Sequence, residues 1–348
     1  MKIGISILIC THNSSSLIEK TLSHLLTQKV DPAISWEVVL VDNACTDGTA
    51  QIAQSYWKSD VPLKIIYEPK PGVAYARVTG MNACQYKYIA FIDDDNWVED
   101  NWVETAFNAM QAHPDASAIG GPSEAVFESA APEWFATYSQ NYAVGEQYHK
   151  AGKITELSKL LWGAGLVLRK DAWDYLYEHG YEPIHESRKG KNLFSGEESE
   201  ILLLFKLMGS ALYYDPRLKI KHFMTTGRLN WKYYLRLKKS FGASSIYLDM
   251  YKNIITLIIE GEQKEAMNWK KELRKSFMVL IKDPLGLLAG ILNIKQGNFR
   301  VAKAYFNLGR FVQKYNMGAE YDILQDFLYN KYASIYQTWN KIISSQTN

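Results

Sequence analysis

Three consecutive carboxylates, Asp93, Asp94 and Asp95, follow a short apolar run at residues 88–92. The run is rich in β-branched and aromatic residues and ends abruptly, which predicts a buried strand. Ligands bind at the carboxyl ends of strands in open α/β sheets, and unpaired carboxylates are costly to bury together. The cluster therefore predicts a neighbouring partner: the ribose hydroxyls of a ligand, an arginine, or a divalent cation, Mg2+ or Mn2+, which prefers oxygen ligands.

The acid cluster at residues 93–95 and a second acidic pair at residues 197–198 also have a structural explanation. Asp95 or Asn96 could cap a helix that starts near Val98, because acidic side chains suit the N-terminal end of the helix dipole. Glu197 and Glu198 precede a second apolar helix and could be ordinary N-terminal charges. Alternatively, one of these glutamates could accept a proton from a substrate hydroxyl.

The elements that must position these groups alternate between strands and helices. Apolar β-type runs lie at residues 3–10, 36–42, 63–67 and 116–121, and helical patterns lie at 17–27, 49–57, 73–84 and 98–112. This alternation predicts an α/β fold with a mostly parallel central sheet and helices on both faces. No strand is followed by Gly-x-Gly-x-x-Gly, and no Gly-x-x-x-x-Gly-Lys-Ser/Thr loop occurs, which argues against a dehydrogenase or a P-loop NTPase.

The second half of the chain has a less regular pattern. Loops and short helices are expected over 122–160, and strands over 160–169, 212–214 and 218–223, with helices over 171–179 and 201–208. Amphipathic helical periodicity takes over from Trp231. The sequence therefore predicts a catalytic domain over residues 1–228 and a basic, mainly helical C-terminal region over 229–348.

Charge is distributed unevenly along the 348 residues. Residues 231–348 hold 18 Lys/Arg and 9 Asp/Glu, although the whole chain has a net charge of only +2. Such asymmetry favours an acidic catalytic part and a basic region that could meet an anionic surface. The three cysteines lack metal or disulfide spacing, and no apolar run is long enough to span a bilayer. We therefore expect a cytoplasmic protein that could also contact the inner face of the plasma membrane.

Five motifs occur in a fixed order: Thr11-His12-Asn13, Asp42 to Thr49, Ala76-Arg77, Asp93 to Asp95, and Gly196-Glu197-Glu198. In this order and spacing they resemble the motifs of family 2 glycosyltransferases. The resemblance covers about residues 3–225. It implies the GT-A nucleotide-diphospho-sugar transferase fold and an inverting transfer reaction.

The resemblance also implies roles for individual residues. Asp42 corresponds to the acid that contacts the nucleotide base, and Thr11 and Asn13 to residues of the base and ribose pocket. Arg77 belongs to a Gly-x-x-x-Ala-Arg-Asn motif that contacts the donor. This chain has Val78 where that motif usually has asparagine.

The acid cluster resembles the Asp-x-Asp motif of the family. By this resemblance Asp93 faces the ribose and Asp95 binds the metal. Asp94, the middle residue, is also a candidate for the donor site. Its side chain could instead point away, because neighbours on an extended strand face opposite sides. His222 follows a predicted strand and resembles the late histidine that joins the metal or diphosphate site in many GT-A enzymes. A satisfied polar residue is the alternative for His222.

The Glu197-Glu198 pair resembles the Glu-Asp motif that supplies the catalytic base. Glu198 is the implied base and Glu197 the second candidate, although the family usually has aspartate where this chain has Glu198. Trp162 could stack on a sugar ring of the acceptor or donor, or it could belong to the core.

The implied function is transfer of a sugar from a nucleoside-diphosphate sugar, with UDP favoured, to a hydroxyl of a glycan or lipid-linked acceptor. Bacterial cell-surface polysaccharide or glycan synthesis is the expected setting. The basic helices could make peripheral membrane contact, pack on the catalytic domain, or form a homodimer. A non-catalytic sugar-nucleotide-binding scaffold and a sugar-phosphate nucleotidyltransferase are alternatives; nucleic-acid binding is not expected, because no recognised motif is present.

Overall fold

The computed structural model describes residues 1–184, 193, 196–261, 268–292 and 296–346. The strands in these residues are β1 (Lys2–Thr11), β2 (Trp36–Asp42), β3 (Leu63–Tyr67), β4 (Tyr86–Phe91), β5 (Asn96–Val98), β6 (Ala116–Gly120), β7 (Ser123–Phe127), β8 (Gly152–Ile154), β9 (Val167–Arg169), β10 (Ala211–Tyr214) and β11 (Ile220–Met224). The α-helices are α1 (Ile18–Leu26), α2 (Thr49–Tyr56), α3 (Val73–Ala83), α4 (Trp102–Ala112), α5 (Phe135–Tyr138), α6 (Lys170–Glu178), α7 (Glu197–Leu207), α8 (Trp231–Glu260), α9 (Trp269–Ile281), α10 (Pro284–Ile291), α11 (Phe299–Met317) and α12 (Glu320–Gln346).

Eight of the strands form one sheet in the order β3-β2-β1-β4-β9-β6-β10-β8. The pairs β3/β2, β2/β1, β1/β4 and β6/β10 are parallel, whereas β9 is antiparallel to both of its neighbours and β8 is antiparallel to β10. The predicted mostly parallel central sheet is therefore confirmed. Up to residue 91, each predicted strand and helix agrees with the structure within two residues.

Alternating side chains of β1 pack against helices on the two faces of this sheet. Ile5, Ile7 and Ile9 are buried in a core shared with α1 and α4, and Leu8 is buried in a second core shared with α3, α6 and α7. This arrangement follows from the period of two in a strand, which sends successive residues to opposite faces. Because both faces are covered, Ile7 to Cys10 form a continuous apolar run rather than an alternating one.

The chain after the acid cluster differs from the prediction. Asn96 to Val98 form β5, which pairs with β11 in a separate three-stranded sheet, and α4 begins only at Trp102. The prediction that Asp95 or Asn96 caps a helix near Val98 is therefore wrong. Pairing with β11, which lies more than 100 residues away in the sequence, overrides the local helical signal.

Two further predictions for the middle of the chain are corrected. Of the run at 160–169, only Val167–Arg169 is a strand, because Gly165 has φ +71°, a left-handed conformation that interrupts extended structure. The region expected to hold loops and short helices also contains β7 and β8. These two strands are short and lie at sheet edges, so their pattern is weak.

The C-terminal helices share a core with the sheet. Tyr251 of α8 and Tyr332 of α12 belong to the same buried cluster as Leu202 and Phe205 of α7, and the two tyrosine hydroxyls lie 3.2 Å apart. Packing on the catalytic part, one of the three alternatives for these helices, is thus observed. Among the helices that are described, none combines the length and the hydropathy needed to cross a membrane.

Candidate functional site

A cavity of about 480 Å³ opens at the carboxyl end of β4. Its lining brings together acidic and basic side chains from segments that are far apart in the sequence, together with one aromatic face from α8. The polar lining residues include Arg77, Asp93, Asp94, Asp95, Glu197, Glu198, His222 and Arg228. Four segments therefore contribute these groups: α3, the turn after β4, the start of α7, and β11 with the β11–α8 connection.

Arg77 is the central cation on one side of the cavity. Its Nη1 donates to Glu197 Oε1 and to Glu198 Oε2, both at 3.1 Å, and its Nη2 lies 3.7 Å from Asp93 Oδ1. The guanidinium also stands 4.8 Å from the centre of the Phe91 ring. Burial lowers the pKa of Arg77, but the neighbouring carboxylates more than offset this effect and hold that pKa above its ordinary value.

The two glutamates differ in their access to the cavity. Glu197 is nearly buried and also accepts a hydrogen bond from the Gly196 amide at 3.1 Å, whereas the side chain of Glu198 is 19% exposed. Both lie in the first turn of α7, so the helix N-terminus and Arg77 stabilise their charges together. Glu198 is thus the carboxylate better placed to reach a molecule in the cavity.

Gly163 makes the Arg77–Glu198 contact possible. A Cβ atom at this position would lie 3.1 Å from Arg77 Nη2 and 3.3 Å from Glu198 Cδ. These distances are tighter than ordinary contacts, so a larger residue would push the ion pair out of place. Arg77 and Glu198 are thus the side chains that approach the backbone closely at Gly163.

Asp94 is held by hydroxyl groups. Its Oδ2 accepts from Thr11 Oγ1 at 2.7 Å and from Ser14 Oγ at 2.5 Å, and its backbone carbonyl accepts from Thr21. The pKa of Asp94 is raised to about 6, because burial and the charge of Asp95 raise it by more than the two hydroxyl bonds lower it. The middle carboxylate therefore fixes the acid turn onto β1 and α1.

Asp95 faces a different set of partners on the opposite side of the turn. Its Oδ2 lies 2.8 Å from Arg228 Nη1 and 3.5 Å from His222 Nε2, and the same Arg228 nitrogen lies 3.3 Å from His222 Nε2. The Asp95 carboxylate raises the pKa of Arg228. Asp95 and His222 therefore lie side by side, and Arg228 is the cation that neutralises the Asp95 carboxylate.

Asp95 and His222 meet one condition for holding Mg2+ or Mn2+. Each ligand of such an ion stands at about 2.1 Å, so two ligands are at most about 4.2 Å apart. The 3.5 Å separation of Asp95 Oδ2 and His222 Nε2 fits this limit. No group of three or more His, Cys, Asp or Glu in the described part of the chain could hold a metal ion, so other ligands would have to come from water or a bound phosphate group.

Three residues of the expected nucleotide pocket lie outside the cavity lining. Thr11 and Asp42 are register partners at the adjoining ends of β1 and β2. Asn13, with φ +54°, accepts a hydrogen bond from the Thr46 amide through its side-chain oxygen at 2.8 Å, and Asp42 accepts one from the Cys45 amide at 2.8 Å. They occupy the same edge of the sheet, where they fix the two loops beside the acid turn.

Trp162 and Arg228 show what the sequence left open. Trp162 is half-buried and forms part of the cavity wall, and its amide donates to Gln147 Oε1 at 2.7 Å. Arg228 was missed because it lies in an irregular segment without a motif. The signal available was its position six residues after His222, but only the fold places both beside Asp95.

Residues 6–172 match the family model described as glycosyl transferase family 2. This segment, 167 of the 348 residues, belongs to the family 2 glycosyltransferases. The matched residues of this glycosyltransferase include the acid turn, Arg77 and Trp162. Four site residues lie beyond the match: the two candidates for the catalytic base, Glu197 and Glu198, together with His222 and Arg228.

Curated relatives of the glycosyltransferase align over part of its length. A glucosyl-dolichyl phosphate glucuronosyltransferase of Haloferax volcanii is 22% identical over 221 residues, which are 63% of this chain and 68% of that protein. The glycosyltransferase GlyA of Streptococcus pneumoniae is 27% identical over 116 residues, which are 33% of this chain and 16% of that protein. The chain thus spans about two thirds of the first relative and about a sixth of the second.

The architecture of the glycosyltransferase is the GT-A fold. The crystal structure of S. aureus TarS 1-349 in complex with UDP-GlcNAc superposes with a TM-score of 0.52 and covers 97% of this chain and 92% of that chain. The two sequences are 14% identical. The likeness extends over the C-terminal helices as well as the central sheet, so it supports a common fold for nearly the whole chain.

Proposed function

We propose that the protein is an inverting hexosyltransferase that moves a sugar from a nucleoside-diphosphate sugar, with UDP as the favoured nucleotide, to an acceptor hydroxyl. The observation that carries the proposal is the cavity itself. Its lining includes both a solvent-accessible glutamate, Glu198, and the Asp95–His222 pair. A displacement reaction needs these two functions, proton acceptance and stabilisation of a departing anion, on opposite sides of one sugar.

Glu198 is the proposed base. Arg77 orients the Glu198 carboxylate at 3.1 Å, and the 19% exposed side chain of Glu198 can meet an acceptor hydroxyl in the cavity. As the new bond forms, Glu198 takes the hydroxyl proton. Attack from the face opposite the diphosphate inverts the configuration at the anomeric carbon.

Asp93 and Asp95 are the proposed donor contacts, with Asp93 toward the ribose. Asp95 and His222 would hold the divalent metal, which supplies Lewis-acid stabilisation of the negative charge on the departing diphosphate. Arg228 must release Asp95 for this to occur, and its guanidinium is then available to phosphate oxygens within the same cavity. Thr11, Asn13 and Asp42 are proposed to form the base and ribose pocket along the adjacent strand ends.

Support for a nucleotide-sugar donor comes from the TarS structure, whose title names UDP-GlcNAc as its ligand. The first relative is named as a glucuronosyltransferase that acts on a glucosyl-dolichyl phosphate. We propose by analogy a glycan or lipid-linked acceptor and a role in cell-surface polysaccharide or glycan synthesis. Trp162 is the proposed stacking face for a sugar ring. A homodimer, a cytoplasmic location and a catalytic unit ending at residue 228 stay predictions.

Isothermal titration of UDP, GDP and dTDP, each with and without Mn2+, tests the donor site. We expect one nucleotide to bind tightly only with metal, and Asp95→Ala to weaken that binding at least tenfold. Asp100→Ala is the matched control, because Asp100 makes an exposed ion pair with Lys29 outside the cavity. Metal-independent binding, or equal binding by the Asp95→Ala protein, would contradict the assignment of Asp95.

A non-catalytic nucleotide-sugar scaffold is the second candidate, favoured by the internal cation at Asp95 and by glutamate in the base position. Donor hydrolysis separates the two candidates. Slow release of free sugar from the bound donor by the wild type, abolished in Glu198→Gln, supports the transferase. Tight donor binding without hydrolysis or transfer to any hydroxyl acceptor would favour the scaffold.

A further inference from the structure

Helix α10 presents its large apolar side chains to solvent. Leu285, Leu288, Ile291 and Leu292 recur at three- and four-residue spacing and are 65%, 51%, 71% and 60% exposed. The buried positions of the same helix are occupied by glycines, Gly286 and Gly290 among them. A helix of a globular protein ordinarily turns its apolar stripe toward the core, so α10 has the reverse orientation.

Close packing fixes this orientation. A Cβ atom on Gly290 would lie 2.3 Å from Tyr305 Cε2, and one on Gly286 would lie 3.1 Å from Ala304 Cβ, so the glycine face fits against α11 where a leucine would not. Asp283 caps the helix by accepting from the Gly286 amide at 3.0 Å. The exposed leucines are therefore a built feature of the fold.

The exposed apolar residues extend to both sides of α10. Half of the 18 exposed large hydrophobic residues in the described chain fall within residues 277–299. We call these nine side chains the apolar surface: Phe277, Met278, Val279, Ile281, Leu285, Leu288, Ile291, Leu292 and Phe299. Large exposed apolar patches mark interaction sites, and this stretch of 23 residues holds as many exposed large apolar side chains as the rest of the described chain.

Positive charge is concentrated in the same stretch of the chain. Residues 269–303 contain eight Lys/Arg and two Asp/Glu. Both acids are already engaged, Glu272 with Lys275 and Lys314 and Asp283 with Arg300. Exposed basic side chains in the described part of this segment are Lys270, Lys271, Arg274, Lys275, Lys282, Arg300 and Lys303.

We propose that the apolar surface docks onto an anionic lipid bilayer, with α10 lying in the interface and the surrounding basic side chains on lipid phosphates. Helices that bind in this way combine an apolar face with Lys and Arg at its borders. A second copy of this chain is a poorer occupant, because two such surfaces would bring like charges together. Interfaces between proteins are also depleted of lysine.

The apolar surface is rigidly joined to the cavity. Helix α11 carries α10 and packs directly on α8, where a Cβ atom on Gly242 would lie 1.9 Å from the Phe306 carbonyl oxygen. Leu237 and Phe241 of α8 line the cavity. If the proposed function holds, docking places the cavity within two helix layers of the lipid, where a lipid-linked acceptor resides. The docking itself does not depend on the transfer reaction.

Vesicle flotation of the full chain tests the proposal. One set of vesicles contains phosphatidylcholine alone, and the other contains phosphatidylcholine with about three parts in ten of anionic phosphatidylglycerol. We expect the wild type to float with the anionic vesicles and to be released by high salt. The double variant Leu285→Glu/Ile291→Glu should lose at least tenfold in bound fraction. The control variant Tyr315→Glu/Ile323→Glu alters two equally exposed apolar residues outside the apolar surface and should bind like the wild type.

Circular dichroism confirms that each variant is folded, which is expected because all four side chains are exposed. No flotation of the wild type, or equal flotation of the two double variants, would overturn the proposal. If the apolar surface instead joins two copies of the chain, sedimentation should show a dimer, and the wild type should not bind vesicles. Leu285→Glu/Ile291→Glu should then dissociate that dimer. Glu198→Gln separates docking from catalysis, because it should lose transfer and keep flotation.

Discussion

Arg228 Nη1 donates to Asp95 Oδ2 at 2.8 Å and so places a protein cation where the resemblance to other glycosyltransferases implies a metal ion. The same nitrogen lies 3.3 Å from His222 Nε2, the other implied ligand. Asp95 is 5% exposed, and a buried carboxylate without a cation is strongly disfavoured. Arg228 therefore stabilises the acid turn and also competes with any cation that enters.

Replacing Arg228 should strengthen metal binding in the absence of donor. Arg228→Gln removes the competing charge while keeping a hydrogen-bonding side chain, so we expect the Kd for Mn2+ to fall about tenfold, or about 1.4 kcal/mol. Isothermal titration and the electron paramagnetic resonance signal of free Mn2+ measure it directly. Arg217→Gln, at an arginine that is 67% exposed and pairs with Asp215 outside the cavity lining, is the control. Unchanged or weaker Mn2+ binding in Arg228→Gln would show that Arg228 does not compete.

Loss of Arg77 should destabilise the fold. Arg77→Met leaves Glu197, Glu198 and Asp93 without their shared cation in a largely buried cluster, and removing one partner of such a pair typically costs about 3–5 kcal/mol. Urea unfolding gives the free energy of unfolding. Lys153→Met breaks an exposed pair with Asp115 and should cost at most about 1 kcal/mol. Equal effects of the two substitutions would refute the structural role of the Arg77 cluster.

The two glutamates of α7 should separate in their effects. Glu198→Gln should lower kcat by about 10²–10⁴-fold, the usual contribution of a general base, while leaving the affinity for UDP unchanged. Glu197→Gln should chiefly lower stability, because Glu197 is nearly buried between Arg77 and the Gly196 amide. Steady-state kinetics and urea unfolding on both variants provide the comparison. A larger loss of kcat in a stably folded Glu197→Gln protein would exchange the assignments.

The C-terminal helices should unfold together with the sheet. Tyr332 is fully buried in the core that contains Leu202, so Tyr332→Ala should cost about 3–5 kcal/mol, as truncation of large buried aromatics does. Hydrogen exchange of peptides from β1 and β4 should accelerate along with those of α12. Tyr315→Ala, at a tyrosine that is 67% exposed, serves as the control. Protection of β1 that is insensitive to Tyr332→Ala would indicate two independent folding units.

The sequence by itself determined the first half of the fold. Strands 36–42 and 63–67 were predicted with their observed bounds, because a buried parallel strand is a short apolar run between turn signals. The ordered motifs also identified the acid turn, Arg77 and Glu198 before any contact was known. These features are encoded in spacing along the chain, which is visible in one dimension.

Only the tertiary structure decided the contacts between distant segments. Nothing in the sequence pattern predicted that Arg228 would contact Asp95, that β5 would form where a helix was expected, or that the leucines of α10 would face outward. Each depends on a contact between separate elements: Arg228 with Asp95, β11 with β5, and Tyr305 with Gly290. Local propensity is weaker than packing and charge pairing, so such features are settled only when the chain has folded.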